Sequence, residues 1–443
     1  MNRNCALVLV FFLFFRAELT AQAPVDSLPA FPGAQGFGSF TTGGRGGRVI
    51  KVTNLNTSGP GSLQEACSEQ GPRIVVFDTS GVIPGPVNIA HGRITIMGQT
   101  APGAGITVKG KFSASSGREY LEDIVVRFIR VRPNPSTNGD GSSDDAVQFN
   151  QVRRCVLDHL SCSWSTDENI GMYMSQESTV QWCTVEESDV VGHYKGRHNY
   201  GMLNGPDGAR ISVHHTLFAN NSRRNPAIAN GPSDIRNNVV YNFRDGFLHD
   251  NPPNLLGFNL VGNYYRRGPA EDDIFPFCFK DWVFYYLRDN YVDGVGVVDN
   301  PWEHENEFRG FQVYMHHGVR AEREFATPPV TTHSCLEAYE LVLEQAGCIP
   351  RDTVSRRTIH EVRTRTGAWG RRDPGDLMAG LSVKPAPRDS DSDGVPDGWE
   401  LENGLDPHDS SDNNKVMESG YTAIEEYCHL LAEKLIRTAS RSN

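Results

Sequence analysis

The sequence predicts an all-β protein built as a parallel β-helix, in which each coil of the chain stacks its short strands on those of the coil before. Two observations indicate this fold. Short β-rich runs recur between about residues 48 and 265, most of them separated by Gly, Asn, Asp, Ser or Pro. Aligned positions also recur at steps of 24, 32, 23 and 25 residues, a range typical of stacked repeats: His159, Cys183, His215, Asn238 and Asn263.

The predicted strands follow one another through the first two thirds of the chain. They are Ile74–Phe77, Ile94–Met97, Ile124–Val131, Cys155–His159, Thr179–Cys183, Ile211–Phe218, Ile235–Tyr241 and Phe258–Tyr265. A ladder of amides is expected at one bend of the coil, formed by Asn237, Asn238, Asn242, Asn259 and Asn263. A β-sandwich with similar strand spacing stays open as the alternative fold.

The composition is that of an ordinary globular protein with an acidic tail. The 443 residues include 42 Lys and Arg against 54 Asp and Glu, for a net charge of -12, and 38% are hydrophobic. This hydrophobic content argues against global disorder, and the acidic balance argues against a nucleic-acid-binding protein. Twelve acidic residues and one lysine lie between Asp389 and Glu426, so a cation is expected there.

The first residues have the pattern of a secretory signal peptide. Arg3 precedes an apolar run from Cys5 to Phe15, which is shorter than the roughly 20 residues that a membrane span requires. We therefore predict a secreted protein without a membrane anchor, extracellular or, in a Gram-negative host, periplasmic. The eight remaining cysteines include no CxxC pair, which argues against zinc, and a Cys335–Cys348 disulfide stays open.

Four segments are predicted along the chain. They are a signal peptide (1–23), a β-helix domain that carries the site (24–330), a helix and loops packed on that domain (331–380), and an acidic tail (381–443). The third segment contains a helical pattern between Cys335 and Gly347. The tail ends in a second helical pattern, Tyr421–Leu435.

The tail also contains the spacing of an EF-hand calcium loop. Carboxylates occupy positions 1, 3, 5, 9 and 12 of a twelve-residue span, and Gly394 provides the tight turn at position 6. These carboxylates are Asp389, Asp391, Asp393, Asp397 and Glu400. The spacing can bring about six to eight oxygens to one point, as Ca²⁺ requires. Prolines before and within the span favour a structural calcium clip over a paired-helix sensor.

The central predicted coils carry polar residues from which a binding groove could be built. Carboxylates lie on the earlier coils, and histidine, lysine and arginine lie on the later ones. The residues are Asp144, Asp145, Asp158, His159, Asp167, Glu168, His193, Lys195, Arg197, His214, His215, Arg223 and Arg224. Acids on neighbouring coils can bind a cation, and basic side chains opposite them can hold an anion. This combination suits an acidic polysaccharide, such as a polymer of uronic acids.

Several motifs occur in an order that gives the chain a specific resemblance. They are Phe31-Pro-Gly-Ala-Gln-Gly-Phe-Gly38, Gly43-Gly-Arg-Gly-Gly47, Gly98-Gln-Thr-Ala-Pro-Gly103, Val126-Arg-Phe-Ile-Arg-Val-Arg132, Leu157-Asp-His159, Ser163-Trp-Ser-Thr-Asp-Glu168, His214-His215 and Arg224-Asn-Pro226. In these motifs the sequence resembles the pectate lyases of polysaccharide lyase family 1. The resemblance spans about residues 31–268 and implies a right-handed parallel β-helix. The tail resembles that of secreted members with an EF-hand-like loop.

The resemblance implies a calcium-dependent enzyme that cleaves pectate by β-elimination. The family's base is an arginine in an Arg-x-Pro sequence nine residues after a His-His pair, which is Arg224 here, and Lys195 matches its substrate-binding lysine. Arg223, Arg197 and His193 are expected to contribute to substrate binding. The expected calcium ligands of the groove are Asp144, Asp145, Asp167 and Glu168. The partner would be pectate, bound by a monomer that contacts neither nucleic acid nor membrane.

Two departures from the family pattern leave alternatives open. Gly171 and Met172 stand where the family has a further acid, and Ala229 stands where it has a second arginine, a charge that Arg223 could supply. One alternative is a polygalacturonate hydrolase on the same fold, which would use paired carboxylates drawn from Asp167, Glu168 and Asp189. The other alternative is a non-catalytic protein that binds an acidic polysaccharide.

Overall fold

The computed structural model describes residues 28–117, 119–134, 144–249, 257–304 and 317–441. The predicted signal peptide lies outside these ranges. Within them the chain forms 29 short strands in three sheets, and neighbouring strands of a sheet come from successive coils. One described strand pair is antiparallel, and the others are parallel. The predicted right-handed parallel β-helix is confirmed, and the β-sandwich alternative is wrong.

A typical coil contributes one strand to each of the three sheets. The first sheet contains β1 (Arg48–Val52), β2 (Arg73–Phe77), β5 (Ile94–Met97), β8 (Leu121–Arg127), β11 (Val152–Asp158), β14 (Gln176–Gln181), β17 (Ala209–His214), β20 (Ser233–Arg236), β23 (Phe258–Val261), β26 (Phe284–Arg288) and β29 (Val319–Arg320). The second contains β3 (Gly81–Ile83), β6 (Ile106–Val108), β9 (Ile129–Val131), β12 (Ser161–Ser163), β15 (Thr184–Glu186), β18 (Leu217–Ala219), β21 (Val239–Tyr241), β24 (Tyr264–Arg266), β27 (Asn290–Val292) and β28 (Gly296–Val298). The third contains β4 (Val87–Ile89), β7 (Phe112–Ala114), β10 (Val147–Phe149), β13 (Glu168–Gly171), β16 (Tyr200–Asn204), β19 (Ala227–Ile228), β22 (Asp245–His249) and β25 (Phe275–Cys278).

Apolar side chains fill the interior of the coil and stack from one coil to the next. One interior position of the first sheet is aliphatic in consecutive coils, and each residue pairs in register with the next: Ile96, Val126, Leu157, Val180, Val213, Ile235 and Leu260. All of them are buried. Because burial of such a side chain contributes about 1.5–3 kcal/mol, this stacked interior is a major source of stability.

Four of the predicted strands are each two strands separated by a bend. The predicted run Ile124–Val131, for example, is β8 and β9 with Phe128 between them at a φ of 55°. The same bend holds His159, Trp182 and His215 in later coils, all at positive φ. A left-handed residue costs about 1–2 kcal/mol, and stacking of these rings between coils, at 4.6 Å for Phe128 and His159, offsets part of that cost. The sequence did not reveal the bend because its aromatic residues are also typical of strands.

An asparagine ladder lies one residue after this bend. The Nδ2 of Asn238 donates to the Oδ1 of Asn263 at 3.0 Å, and Asn263 donates to Asn290 in the same way, also at 3.0 Å. The predicted ladder is therefore confirmed for Asn238 and Asn263. The other predicted members lie at different coil positions: Asn237, Asn242 and Asn259.

The repeat alignment drawn from the sequence needs a correction of one residue. Thr216 donates its backbone N–H to Asn238 at 3.0 Å, and Cys183 donates its own to Thr216 at 3.3 Å, so these three are equivalent. His159 and His215, which the sequence aligned with them, lie one residue earlier, at the bend. The error arose because some coils have polar residues at both of these adjacent positions, as in His215-Thr216 and Asn237-Asn238.

Helices cover the second sheet and the start of the coil. Those described are α1 (Leu63–Ser68), α2 (Cys335–Gln345), α3 (Thr353–Thr364), α4 (Asp397–Asn403) and α5 (Ala423–Arg441), with 3₁₀ turns at Gly98–Thr100, Pro301–Glu303 and Asp412–Asn414. Ser334 and Glu337 form a capping box at the start of α2. Val342 of α2 and Ile359 of α3 pack on Tyr241 of the second sheet. Across the described ranges, no helix combines the length and the apolar character needed to cross a bilayer.

The described cysteines are all free thiols. Cys335 and Cys348, at the two ends of the α2 region, form no disulfide. Cys155, Cys162 and Cys183 are buried, and desolvation raises the pKa of each of these thiols. A buried, protonated thiol behaves as a small apolar side chain, so these cysteines contribute to packing.

The acidic tail folds back onto the first coils of the β-helix. Val395 and Val76 belong to one buried apolar cluster, which joins the tail to β2. Gly394 has a φ of 97°, and a Cβ atom there would come within 2.7 Å of a side chain of β1. Arg45, in the N-terminal segment, pairs with Glu425 at 2.8 Å. The tail is therefore in close contact with the start of the coil.

Buried histidines make the fold sensitive to acid. Desolvation lowers the pKa of His214 and of His429 to about 3, and that of His249 to about 4. In an unfolded chain each titrates near pH 6.5, so below that pH unfolding takes up a proton at each. We expect the free energy of unfolding to fall between about pH 6.5 and pH 4, by about 1.4 kcal/mol per pH unit for each histidine.

Thermal unfolding at a series of pH values measures this effect. The Nε2 of His429 has no hydrogen-bond partner within the described residues, so His429→Phe is expected to fold and to take up about one proton less on unfolding. Stability that changes with pH in the same way in both proteins would contradict the assignment of that proton to His429.

Candidate active site

The register of the coils brings together residues that lie far apart in the sequence. The backbone N–H of Glu168, the first residue of β13, donates to the carboxylate of Asp145 at 3.2 Å. Glu168 pairs in register with Tyr200, the first residue of β16, and Tyr200 forms a parallel bridge with Arg223. Arg224 follows directly. One edge of the third sheet thus carries polar residues from four successive coils.

Three carboxylates form a compact cluster at this edge. Oxygens of Asp145, Asp167 and Glu168 lie within 4.8 Å of one another, and Asp145 and Glu168 are buried. Burial and the charge of Asp167 raise the pKa of Asp145 to about 7, and burial and the charge of Asp145 raise the pKa of Glu168 well above its usual value. Oxygen ligands in such a cluster fit a hard divalent cation, whose charge would offset their mutual repulsion.

Arg224 faces this cluster. Its guanidinium forms an ion pair with Glu168, and its Cζ lies 4.7 Å from the centroid of the Tyr200 ring. The backbone of Arg224 has a φ of 58°. The next residue, Asn225, is buried and donates from its Nδ2 to the carbonyl of Asn221 at 3.2 Å. The Asn of the Arg-Asn-Pro motif therefore anchors the backbone from which Arg224 reaches the carboxylates.

The loop between β15 and β16 supplies the other charged side chains. The Nε2 atoms of His198 and His193 lie 2.9 Å and 3.6 Å from the two carboxylate oxygens of Asp167. Lys195 is exposed, and its ammonium lies 5.0 Å from the centroid of the Tyr194 ring. Hydrogen bonding with Tyr194 raises the pKa of Lys195. Lys195 is therefore a cation at neutral pH, at the rim of the site.

All of these side chains meet in one cavity of about 260 Å³. It is lined by Asp145, Gln148, Asn150, Asp167, Glu168, Gly171, Tyr173, His193, Tyr194, Lys195, His198, Leu203 and Arg224. The sequence predicted six of these as site residues: Asp145, Asp167, Glu168, His193, Lys195 and Arg224. The sequence analysis did not predict the other lining residues, among them Gln148, Asn150, Tyr173, Tyr194 and His198. One of them could have been found: Gln148 alternates with the buried Val147 and Phe149 in β10, a pattern that indicates an outward-facing side chain.

Asp144, a predicted calcium ligand, lies outside the cavity. It is exposed, and its carboxylate pairs with Lys111 at 2.6 Å. Asp145 is buried, accepts a hydrogen bond from the backbone of Glu168 and belongs to the carboxylate cluster. Of the two neighbouring acids, Asp145 is therefore the one that faces the cavity.

Two predicted substrate-binding arginines also lie outside the cavity. The Cζ of Arg197 lies 5.0 Å from the centroid of the Trp369 ring. Arg223 pairs with Asp245 at 2.5 Å. Both guanidinium groups thus have partners in neighbouring elements, and of the predicted cations only Lys195 and Arg224 line the cavity.

A second carboxylate cluster lies in the tail. It consists of two overlapping groups with oxygens within 4.8 Å of one another: Asp389, Asp391 and Asp393, and Asp393, Glu400 and Asp412. Asp397 stays outside, since its two oxygens accept hydrogen bonds from the backbone and hydroxyl of Ser390 at 2.7 and 2.8 Å. The EF-hand spacing therefore located four members of the cluster. It missed Asp412, which lies beyond the twelve-residue span.

The fold and the cavity define an enzyme built on a parallel β-helix, with basic side chains beside a carboxylate cluster. The chain is 34% identical over 429 residues to the probable pectate lyase C of Aspergillus fumigatus, a match that covers 92% of this chain and 94% of that protein. It is also 34% identical over 425 residues to the probable pectate lyase C of Neosartorya fischeri, with 92% and 94% covered. This chain therefore belongs to the pectate lyases of polysaccharide lyase family 1 and is a polysaccharide lyase. The resemblance found in the sequence is confirmed.

Solved structures agree with this assignment at the level of the fold. The thermostable pectate lyase PL 47 superposes with a TM-score of 0.52 at 14% identity, over 73% of this chain and 98% of that one. A pectate lyase bound to a hexasaccharide superposes with a TM-score of 0.51 at 12% identity, over 74% and 99%. The chain matches no protein-family model.

Proposed function

We propose that this protein cleaves pectate, a (1,4)-α-D-galacturonan, by calcium-dependent β-elimination, with Arg224 as the base. The observation that carries the proposal is that Arg224, Lys195 and the carboxylate cluster line one shared cavity. A polyanionic sugar chain needs cations for its own carboxylates, and it can approach the acids of the protein only through a bound metal ion. Membership of the pectate lyases supports the same substrate.

Asp145, Asp167 and Glu168 are the residues that would hold Ca²⁺ in the groove. The fit rests on their oxygens, which lie within 4.8 Å of one another and belong largely to buried side chains. Bound there, the ion would neutralise the substrate carboxylate beside C5 and so make the C5 proton more acidic. His193 and His198 contact Asp167 and keep its carboxylate directed at the cluster.

Arg224 and Lys195 would carry out the proton and charge chemistry. A neutral guanidine nitrogen of Arg224 takes the C5 proton, and the electrons of the C5–H bond form a double bond between C4 and C5. The glycosidic oxygen leaves C4 with its bonding electrons and takes a proton from water. Lys195 binds a uronate carboxylate and opposes the negative charge that develops as the proton leaves. Glu168 holds the side chain of Arg224 in the cavity.

Export and a monomeric active unit belong to the same proposal. The predicted signal peptide at residues 1–23 supports a secreted enzyme, extracellular or periplasmic, and pectate is a polymer too large to reach an enzyme inside a cell. The acids, the base and the lysine that the proposed reaction needs are all supplied by this chain, so the proposed active unit is a monomer.

Ultraviolet absorbance during incubation with polygalacturonate tests the reaction. We expect absorbance to rise in the presence of Ca²⁺, because elimination leaves a double bond conjugated with the carboxylate of the product. A chelator is expected to stop the rise, and added Ca²⁺ to restore it. Reducing ends that appear without absorbance would indicate hydrolysis. If folded protein gave neither absorbance nor new reducing ends, the non-catalytic alternative would be favoured.

The contacts of the site argue against both alternatives. A hydrolase would need two acids on opposite sides of the substrate. Asp167 and Glu168 line the cavity but lie together in one cluster, and Asp189 does not line the cavity, since its carboxylate accepts a hydrogen bond from the backbone of Val191 at 3.1 Å. Ala229, which stands in place of an arginine of the family, is fully buried and is not part of the cavity lining. Arg224 and Lys195 remain there as candidate base and substrate-binding cation.

A further inference from the structure

The tail cluster is a group of acids that the pectate-cleaving cavity does not use. Asp389, Asp391 and Asp393 lie in the loop before α4, and Glu400 lies within that helix. Asp412 joins them from the 3₁₀ turn that follows. Asp393 belongs to both overlapping groups, so the five carboxylates surround one region.

Several carboxylate oxygens of this cluster are buried and accept no hydrogen bond. Within the described residues, buried oxygens that accept no hydrogen bond are Oδ2 of Asp391, Oδ2 of Asp393, both carboxylate oxygens of Glu400 and Oδ1 of Asp412. Glu400 is 0% exposed and Asp393 is 4% exposed. Burial of an ionised carboxylate without a partner is strongly unfavourable. The cluster therefore calls for a cation at its centre.

Asp397, at position 9 of the EF-hand spacing, is directed away from that centre. Its carboxylate accepts two hydrogen bonds from Ser390 and pairs with Arg388 at 3.0 Å. Its charge is thus compensated outside the cluster. Asp412 presents a buried, unpaired oxygen on the inside, and so provides the carboxylate that Asp397 does not.

We propose that the tail binds one Ca²⁺ through Asp389, Asp391, Asp393, Glu400 and Asp412, and that this ion fastens the tail to the first coils of the β-helix. The donors are all carboxylate oxygens, which suit a hard cation, and the backbone carbonyl of Val395 is available at position 7 of the spacing. Ca²⁺ accepts about six to eight oxygen ligands, whereas Mg²⁺ keeps several waters and is rarely enclosed by protein ligands alone.

The position of the cluster explains how the ion would fasten the tail. Lys51 of β1 contacts Asp389 at 2.7 Å and Asp78 at 2.9 Å, so the first coil already touches one ligand. Val395 packs in the apolar cluster that contains Val76 of β2. Without the cation, repulsion among five carboxylates would act on this junction. The site is separate from the groove, so the inference does not depend on the proposed reaction.

Terbium binding to the full-length, calcium-free protein tests the choice of ligands. Trp399 is adjacent in sequence to Glu400 and can sensitise Tb³⁺ luminescence, and Trp399→Phe should remove the signal if it comes from the tail. We expect Asp412→Asn to weaken Tb³⁺ binding, and its displacement by Ca²⁺, by at least tenfold. The matched variant Asp397→Asn should stay within twofold of the wild type. Equal losses in the two variants, or no tail signal in the wild type, would overturn the proposal.

Thermal unfolding separates a ligand from a residue with a purely structural role. Ca²⁺ should raise the unfolding midpoint of Asp412→Asn less than those of the wild type and of Asp397→Asn, because the groove site is intact in all three proteins and only the contribution of the tail is lost. In chelator, Asp412→Asn should unfold at or above the wild-type midpoint, because asparagine can keep the hydrogen bond from the Asp406 N–H, 2.9 Å long, and removes one repelling charge. A midpoint lowered equally with and without Ca²⁺ would show that Asp412 is structural only.

Discussion

Arg224→Lys is expected to lower the rate of pectate cleavage by about 10²–10⁴-fold, the contribution of a well-placed acid or base, while the protein still folds. Lysine keeps a positive charge but lacks the planar guanidinium that pairs with Glu168 and lies over the ring of Tyr200. The proton-accepting nitrogen would therefore be misplaced. The initial rate of absorbance change at saturating pectate and Ca²⁺ measures the loss, and thermal unfolding verifies the fold.

Arg210→Lys is the matched control for this variant. Arg210 lies in β17 of the first sheet, pairs with Glu177 at 2.7 Å and does not line the cavity. The same substitution there should leave the rate unchanged. If folded Arg224→Lys kept more than about a tenth of the wild-type rate, the loss would be too small for the catalytic base. The base would then have to be another residue.

Asp145→Asn is expected to raise the Ca²⁺ concentration for half-maximal activity by a factor of about ten or more, since it removes one charged ligand. The carboxylate of Asp145 is buried and lies within 4.8 Å of those of Asp167 and Glu168. An amide in its place cannot supply the same charge to a bound cation. Initial rates over a series of Ca²⁺ concentrations, at fixed pectate, measure the change.

Asp144→Asn controls for a general change of charge. Asp144 is the neighbouring acid, but it is exposed and pairs with Lys111 outside the cavity. Both variants remove one charge from the same stretch of chain, so an effect of net charge alone would change both proteins alike. We expect the calcium dependence of Asp144→Asn to match the wild type. An equal shift in the two variants would contradict the placement of the groove site at Asp145.

The β-helix could be predicted because its local signals agree with one another. Apolar residues recur at each coil, and turn-forming residues separate the runs, so eight of the eleven strands of the first sheet were found close to their true positions. The strands β1, β26 and β29, at the two ends of the coil, were not predicted. The bends were harder to find. Phe128 and Trp182 occupy left-handed positions, yet aromatic residues are also typical of strands. Aromatic residues are explained at these positions only by the tertiary structure, in which the rings of successive coils stack on one another.

The candidate site could be predicted in its chemistry but only partly in its membership. Arg224 and Lys195 were found through motifs, and both line the cavity. Arg197 carries the same charge only two residues from Lys195, but it lies against Trp369, a contact across a long separation in sequence. His198 was missed because its partner, Asp167, belongs to an earlier coil.

By itself the sequence determined the fold class, the family and the kinds of side chain that meet in the groove and in the tail, because spacing and motif order are local properties of the chain. The tertiary structure alone decided which of two similar neighbours takes part. Asp145 faces the cluster and Asp144 does not, because Asp145 is buried against the start of β13, whereas Asp144 is exposed and pairs with Lys111 of the preceding coil. Asp412 joins the tail carboxylates, and Asp397 leaves them, because the chain after α4 folds back on the loop. That contact could not be predicted from the spacing of residues within the twelve-residue loop.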